Sequence, residues 1–284
     1  MKQFISFCLI NVMALFVSVG FSQIQAPAAS PKTTITQAFG LSEITLEYHR
    51  PGKKGREIFG DLVQYGAVWR TGANGATAIT FKDDVTFAGE NVKAGKYSIY
   101  TIPGEEEWTI ILNSFEGWGT VYDKKKDVLR LSAKAETLAE SVETFTIDFS
   151  DFTDNSTIMS LKWENVSVPL KIEMEVDSKV MAQIEATMKN PDALNAGSYY
   201  QAAAYYLQTD RDLDQALEWV NQSLELDPKP YWVYRLKSSI LAGKKEYKAA
   251  IQTAEKSMEA AEAAGNMDYV RLNRNNIEEW KKQL

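Results

Sequence analysis

The 284-residue chain has one cysteine and one histidine. Cys8 lies inside an N-terminal apolar run, so removal of that run leaves no cysteine; disulfides, cysteine nucleophiles and thiolate metal sites are then excluded together. With His49 alone, a histidine-rich zinc or iron site cannot form within one chain, and a catalytic triad has a single choice of base. The Walker and Rossmann glycine patterns and the G-x-S-x-G nucleophile elbow are missing as well. Asp148, Asp151 and Asp154 lack the glycine and closing glutamate of a calcium loop, and no carboxylate spacing favours a paired-acid glycosidase. No metal or cofactor is expected. Positive charge is also in deficit: 31 Lys and Arg stand against 38 Asp and Glu, a net charge of −7. That balance disfavours nonspecific attachment to nucleic acid or to an anionic membrane.

What the chain has first is an address. Lys2 is followed by a nearly uninterrupted apolar run from Phe4 to Phe21, with small Gly20 and Ser22 ahead of Gln23. Residues 1–22 read as a secretory signal, which predicts an exported protein, periplasmic or extracellular, with no membrane insertion after cleavage. The alternative is a membrane anchor, because about 18 apolar residues is near the lower limit for a span. Cys8 inside the run, rather than at the cleavage point, argues against a lipid anchor. Since Lys2 is the only charged residue of the segment, cleavage takes the formal charge from −7 to −8. Residues 23–32, rich in Ala, Pro and Ser, read as a flexible linker.

From residue 33 to 176 the hydrophobic period is two. Ile44, Leu46 and Tyr48 point one way and Thr45 and Glu47 the other; Tyr97–Ile102, Trp108–Leu112, Val128–Ala133 and Phe145–Phe149 repeat the pattern. Asn74-Gly75, Ala94-Gly95 and Pro103-Gly104 supply turns, the last a type II pair. About eight to ten strands with no helical period between them predict an antiparallel β-sandwich or barrel.

From Asp177 the period becomes 3.6 and alanine becomes frequent, so residues 177–284 read as all-α. The segment from Asp212 to Pro228 aligns with the one beginning at Glu246, Ala216 matching Ala250 and Ser223 matching Ser257 at a spacing of 34. With Ala203 and Ala204 in a first helix and Pro228 ending the second, the region from Asn195 to Gly265 resembles tetratricopeptide repeats, followed by a polar capping helix from Arg271 to Leu284. The second unit has Glu262 where the terminal proline belongs. The resemblance implies a protein or peptide groove along the first helices, carried by Ser198, Gln201, Tyr205 and Gln208, then Trp232, Arg235 and Ser239. Two repeats equally well serve to brace the β-domain.

The least scaffold-like stretch is Tyr48 to Thr77, YHRPGKKGREIFGDLVQYGAVWRTGANGAT. Arg50, Pro51, Gly55, Arg56, Ile58, Phe59, Gly60, Leu62, Val63, Tyr65, Gly66, Val68 and Trp69 through Asn74, with Ala94 through Ser98, Trp108, Asn113 and Trp118-Gly119, resemble domain-of-unknown-function family 2911, an exported bacterial β-domain. The resemblance spans roughly Ser30 to Leu170 and implies no activity. This chain has Gly75 where the family usually continues with glutamate.

Within the block, converging Arg56 and Arg70 would bind a carboxylate or phosphate through guanidinium forks. Thr71 and Asn74 add polar groups beside glycines that admit close backbone approach, and Trp118 and Tyr122, following Asn113, could add a stacking wall; an anion or a glycan is the ligand class such a set accepts. The structural alternatives are an exposed Gly52–Gly55 turn with solvated lysines, Arg70 stacked on Trp69 or paired with a core carboxylate, Trp69 in the core, and Asn74-Gly75 as a plain hairpin turn. The chemistry therefore points to a non-catalytic binding or interaction protein. The alternative is a hydrolase or lyase using His49 as base with Arg56, Arg70 and Asn74 stabilising charge.

Overall fold

The computed structural model describes residues 26–114 and 117–284. The expected signal, residues 1–22, lies outside them. Two compact units divide between Met174 and Glu175.

The first unit is built of ten strands among the described residues, in two antiparallel sheets. One sheet orders β1 (Lys32–Phe39), β2 (Ser42–His49), β3 (Thr77–Phe81), β6 (Gly95–Ile102), β7 (Glu107–Asn113) and β8 (Asp127–Lys134) as β1-β2-β3-β6-β7-β8. The other orders β4 (Val85–Phe87), β5 (Glu90–Val92), β9 (Glu136–Ser150) and β10 (Ser156–Glu173) as β5-β4-β10-β9. Both sheets have open edges, so the expected two-sheet antiparallel arrangement holds, and among the described residues no barrel closes. The period-two pattern explains the layers. Ile44, Leu46 and Tyr48 are buried from the first sheet and Met159, Leu161 and Trp163 from the second, the Ile, Leu and Met side chains each worth about 1.5–3 kcal/mol on burial. Rings meet between the sheets, Tyr48 edge-on to Phe145 and Phe81 against Phe87.

One turn differs from the expected chemistry. Gly104 does not have the positive φ that a type II turn requires; glycine is needed there because any Cβ would lie 2.4 Å from the Glu107 carbonyl oxygen. The tight hairpin instead falls at Ala88-Gly89 between β4 and β5, where both residues have positive φ, 48° and 91°, as a two-residue type I′ turn demands.

The second unit contains six helices: α1 (Asp177–Met188), α2 (Ala196–Gln208), α3 (Leu213–Leu226), α4 (Tyr231–Gly243), α5 (Tyr247–Ala263) and α6 (Met267–Lys281). Asn195 and Ser198 form a reciprocal capping box that starts α2. Small residues set the close contacts, with Ala203, Ala216, Ala250 and Ala254 fully buried. The α2–α3 and α4–α5 hairpins repeat one bond. Ser223 Oγ donates to the Ala196 carbonyl at 2.7 Å, and Ser257 Oγ donates to the Tyr231 carbonyl at the same distance, tying the end of each second helix to the start of its first. Both first helices end alike, at left-handed Asp210 and Lys245. The last helix begins at Met267, ahead of the expected Arg271, because the Asn266 side chain accepts from the Tyr269 N–H and caps it.

Candidate functional site

The Tyr48–Thr77 block leaves β2 and crosses to the second sheet. Its continuation pairs with the outer edge of β9: Phe145 N donates to Pro51 O at 2.9 Å and Lys53 N to Glu143 O at 2.7 Å. Here the β9–β10 register shifts, with Lys162 opposite Thr146 and Glu164 opposite Val142, so β9 carries the surplus residues that receive the block. Three side chains lock the crossing. The Tyr48 hydroxyl donates to Ile147 O and accepts from Ile147 N. The Arg50 guanidinium donates to Phe145 O and Thr146 Oγ1. Lys53 Nζ lies 2.7 Å from Glu164 Oε1 with both groups largely shielded from solvent. The chain then returns to the first sheet, where Trp69 and Thr101 exchange both backbone bonds at 2.7 and 2.9 Å.

Between these two anchor points the block borders an open cavity of about 580 Å³. Arg56, Arg70 and Asn74 line it together, with Lys54 and the indoles of Trp69 and Trp163. Those rings stack at 5.9 Å and 17°, and Trp163 Nε1 donates to Glu143 O, so the aromatic wall is held rigid. Three cations face this space, and no Asp or Glu among the described residues lines it. Arg56 is half committed: its Nε donates to Lys53 O and one terminal nitrogen to Gly52 O, leaving the other terminal nitrogen for a ligand. Arg70 neither pairs with a carboxylate nor stacks as a cation on Trp69 among the described contacts, and its Nε is buried without a partner. Asn74 stands in the left-handed region at φ 57°, which turns the chain at the cavity rim and lets the run from Trp69 curve around it.

The remaining candidates go elsewhere. Thr71 is fully buried, and its hydroxyl donates to Thr101 Oγ1 at 3.1 Å. Asn113 is also fully buried, its amide donating to Asp123 O and to Asp127 Oδ1. Asp127 in turn accepts from the Tyr122 hydroxyl and from Arg130, a closed network that holds the loop after β7. Trp118 is 63% exposed and lies outside the cavity lining. His49 lines a second, smaller cavity of about 220 Å³ with Lys32, Glu47, Lys96 and Ser98. Burial, and then the charge of Lys32, push its imidazole below the ordinary value. Its Nδ1 is buried without a partner.

On the helical unit, Tyr205 is not free for a groove: its hydroxyl donates to Asp177 Oδ1 at 2.8 Å, beside the Arg211 guanidinium that grips both oxygens of that carboxylate. Gln201 and Trp232 are exposed, and Trp232 packs edge-on to Tyr231. Arg235 has one terminal nitrogen buried without a partner. Among the described residues no cluster of three or more His, Cys, Asp or Glu is placed to hold a metal ion, and no helix is long and apolar enough to cross a membrane.

Sequence reasoning missed Lys54 and Trp163. Trp163 shares the inward parity of Met159 and Leu161, which marks it as core. Only the β9 bulge brings it to Trp69, and no spacing signals that.

A family model described as "Protein of unknown function (DUF2911)" matches residues 30–172. No curated protein matches the chain. A solved structure, the solution structure of protein BPP2914 from Bordetella parapertussis, is 18% identical and covers 39% of this chain and 91% of its own, at a TM-score of 0.33, which is too low to support an argument.

Proposed function

The chain belongs to the DUF2911 family of proteins of unknown function, a description that assigns no chemistry, and from the site we propose that its β-unit binds a small anionic molecule without transforming it. One observation carries the reading: Lys54, Arg56 and Arg70 line a single cavity with an aromatic wall and no lining carboxylate among the described residues. Guanidinium groups with no carboxylate partner among the described residues, set beside low-dielectric indoles, favour an anion such as a carboxylate or phosphate. Trp69 offers the ligand body an apolar face, and Asn74 both donates and accepts, the combination that also suits an acidic sugar. Binding is favoured over hydrolysis because His49, the only imidazole, lines a different cavity from Arg56, Arg70 and Asn74.

The helical unit serves, in the same proposal, as a short tetratricopeptide-like module for protein contact, with Gln201, Trp232 and Arg235 on the first-helix stripe. The repeated Ser223 and Ser257 bonds support a true structural repeat. We further propose export through residues 1–22, giving a mature chain that starts at Gln23; intact mass of the secreted protein tests this.

Binding is tested by titrating the chain lacking residues 1–22 with glucuronate, sulfate and phenyl phosphate against neutral glucose, read by tryptophan fluorescence and calorimetry. Saturable binding of at least one anion is expected, weakening with salt, and Arg70→Ala is expected to lose about tenfold in affinity, or ~1.4 kcal/mol. Equal binding of glucose and glucuronate, or an unaffected Arg70→Ala variant, overturns the proposal.

A further inference from the structure

The helical unit carries a second candidate site, independent of the β-unit cavity. A groove of about 630 Å³ is formed by α3, α4 and α5. Its lining includes Leu217 and Leu241, which give it an apolar floor, and the carboxamides of Asn221 and Gln252. Lys237 and Lys256 enter the same groove, and neither forms an ion pair among the described residues. On α4, Lys237 and Leu241 project from the side opposite Trp232, Arg235 and Ser239, given about 100° of rotation per residue. The groove is therefore separate from the first-helix stripe.

An ammonium half-buried among helices without a counter-ion is costly, and a second ammonium facing it adds repulsion. Burial, and then the charge of Lys256, push Lys237 below its ordinary value. Such an arrangement relaxes when an anion enters. The two carboxamides each present a donor and an acceptor, which is the complement of a peptide group. Glu255 and Glu259 stand at the same groove and would repel a run of acids. A single carboxylate seated between the lysines satisfies both conditions.

We propose that the α3–α4–α5 groove docks an extended peptide segment bearing one acidic residue flanked by aliphatic ones, its carboxylate between Lys237 and Lys256, its backbone on Asn221 and Gln252, and its aliphatic side chains on Leu217 and Leu241.

The test uses the full chain from Gln23 and a fluorescein-labelled peptide, Ala-Leu-Glu-Leu-Ala with blocked ends, followed by anisotropy. Saturable binding is expected, weakened about tenfold when the peptide glutamate becomes glutamine and by a similar factor in Lys237→Met and in Lys256→Met, a tenfold step being ~1.4 kcal/mol. Lys229→Gln, an exposed lysine outside the groove, is expected to bind as the parent does. Lys237→Met is also expected to melt at or above the parent temperature, because it removes a desolvated, repelled charge while keeping the aliphatic stem. The proposal is overturned by absence of binding at millimolar peptide, by equal binding of the glutamine peptide, or by Lys229→Gln losing as much as Lys237→Met. A steep drop in the melting temperature of Lys237→Met overturns it too, since the lysine would then be a structural group that merely extends its stem over the groove. Backbone amide shifts report location: changes at Trp232 and Arg235 in place of α3 and α5 also refute it.

Discussion

A Cβ on Gly119 would stand 2.7 Å from Cδ of Arg70 and 2.8 Å from both the Ala76 nitrogen and the Asn74 oxygen. The loop after β7 therefore lies directly against the turn that presents Arg70 and Asn74 to the cavity. Gly119→Ala must displace one of them, since two of the three close atoms are backbone. The expected outcome is about a tenfold loss of anion affinity, ~1.4 kcal/mol, by calorimetry. Gly89→Ala is the control: its φ of 91° strains any side chain but its Cβ would meet nothing within 4 Å. It is expected to cost about 1 kcal/mol of stability and to leave affinity unchanged.

Tyr48→Phe tests the crossing between the sheets. The lost hydroxyl leaves the Ile147 N–H and C=O without their partner inside a fully buried position. An unsatisfied buried group costs about 1–3 kcal/mol, so the β-unit should unfold several degrees earlier in a thermal melt. A melt that coincides with the parent's would show that water replaces the hydroxyl there.

The two matched serines should not cost the same. Ser257 Oγ donates to Tyr231 O and also accepts from the buried Asn273 amide at 2.8 Å, whereas Ser223 has, among the described residues, the single bond to Ala196 O. Ser223→Ala is expected to lose about 1 kcal/mol and Ser257→Ala about 2–3 kcal/mol in urea unfolding, because the second change strands a buried donor.

His49 makes the pH dependence readable. Its pKa is lowered on folding from the ordinary 6.5, by burial first and by Lys32 second. The unfolded chain therefore binds the proton more readily, and stability declines as pH falls below about 6.5, with nothing contributed by this group above that value. Since it is the sole histidine, one imidazole resonance reports the titration. His49→Gln should flatten the stability profile between about pH 7 and 5.5, above the range where carboxylates titrate.

Much of the architecture was legible. The alternation at Ile44, Leu46 and Tyr48 and again at Trp108 to Leu112 placed strands and their inward faces, because a sheet has only two sides. The 34-residue spacing of Ser223 and Ser257 was readable too, but the bond that each makes to the start of the preceding helix was not. The site was only partly legible. Arg56, Arg70 and Asn74 reach one cavity, but Arg50 and Lys53, of the same charge and in the same stretch, are spent on Phe145, Thr146 and Glu164. Composition cannot separate a guanidinium that braces a strand crossing from one that faces open space. Thr71 and Asn113 failed to appear at the cavity for a similar reason: their hydrogen-bonding capacity is satisfied internally, by Thr101 and by Asp127.

By itself the sequence determined the division into a period-two half and a 3.6-period half, the poverty in imidazole and thiol, and the family block. Those properties are local, set by neighbouring residues and by residue type. The tertiary structure alone decided that the block leaves one sheet for the bulged edge of β9 and returns at Thr101, and that this detour, lined from the core by Trp163, is what makes a cavity. That outcome depends on contacts between residues about ninety positions apart, where register and bulge geometry select among arrangements that the local pattern leaves equally open.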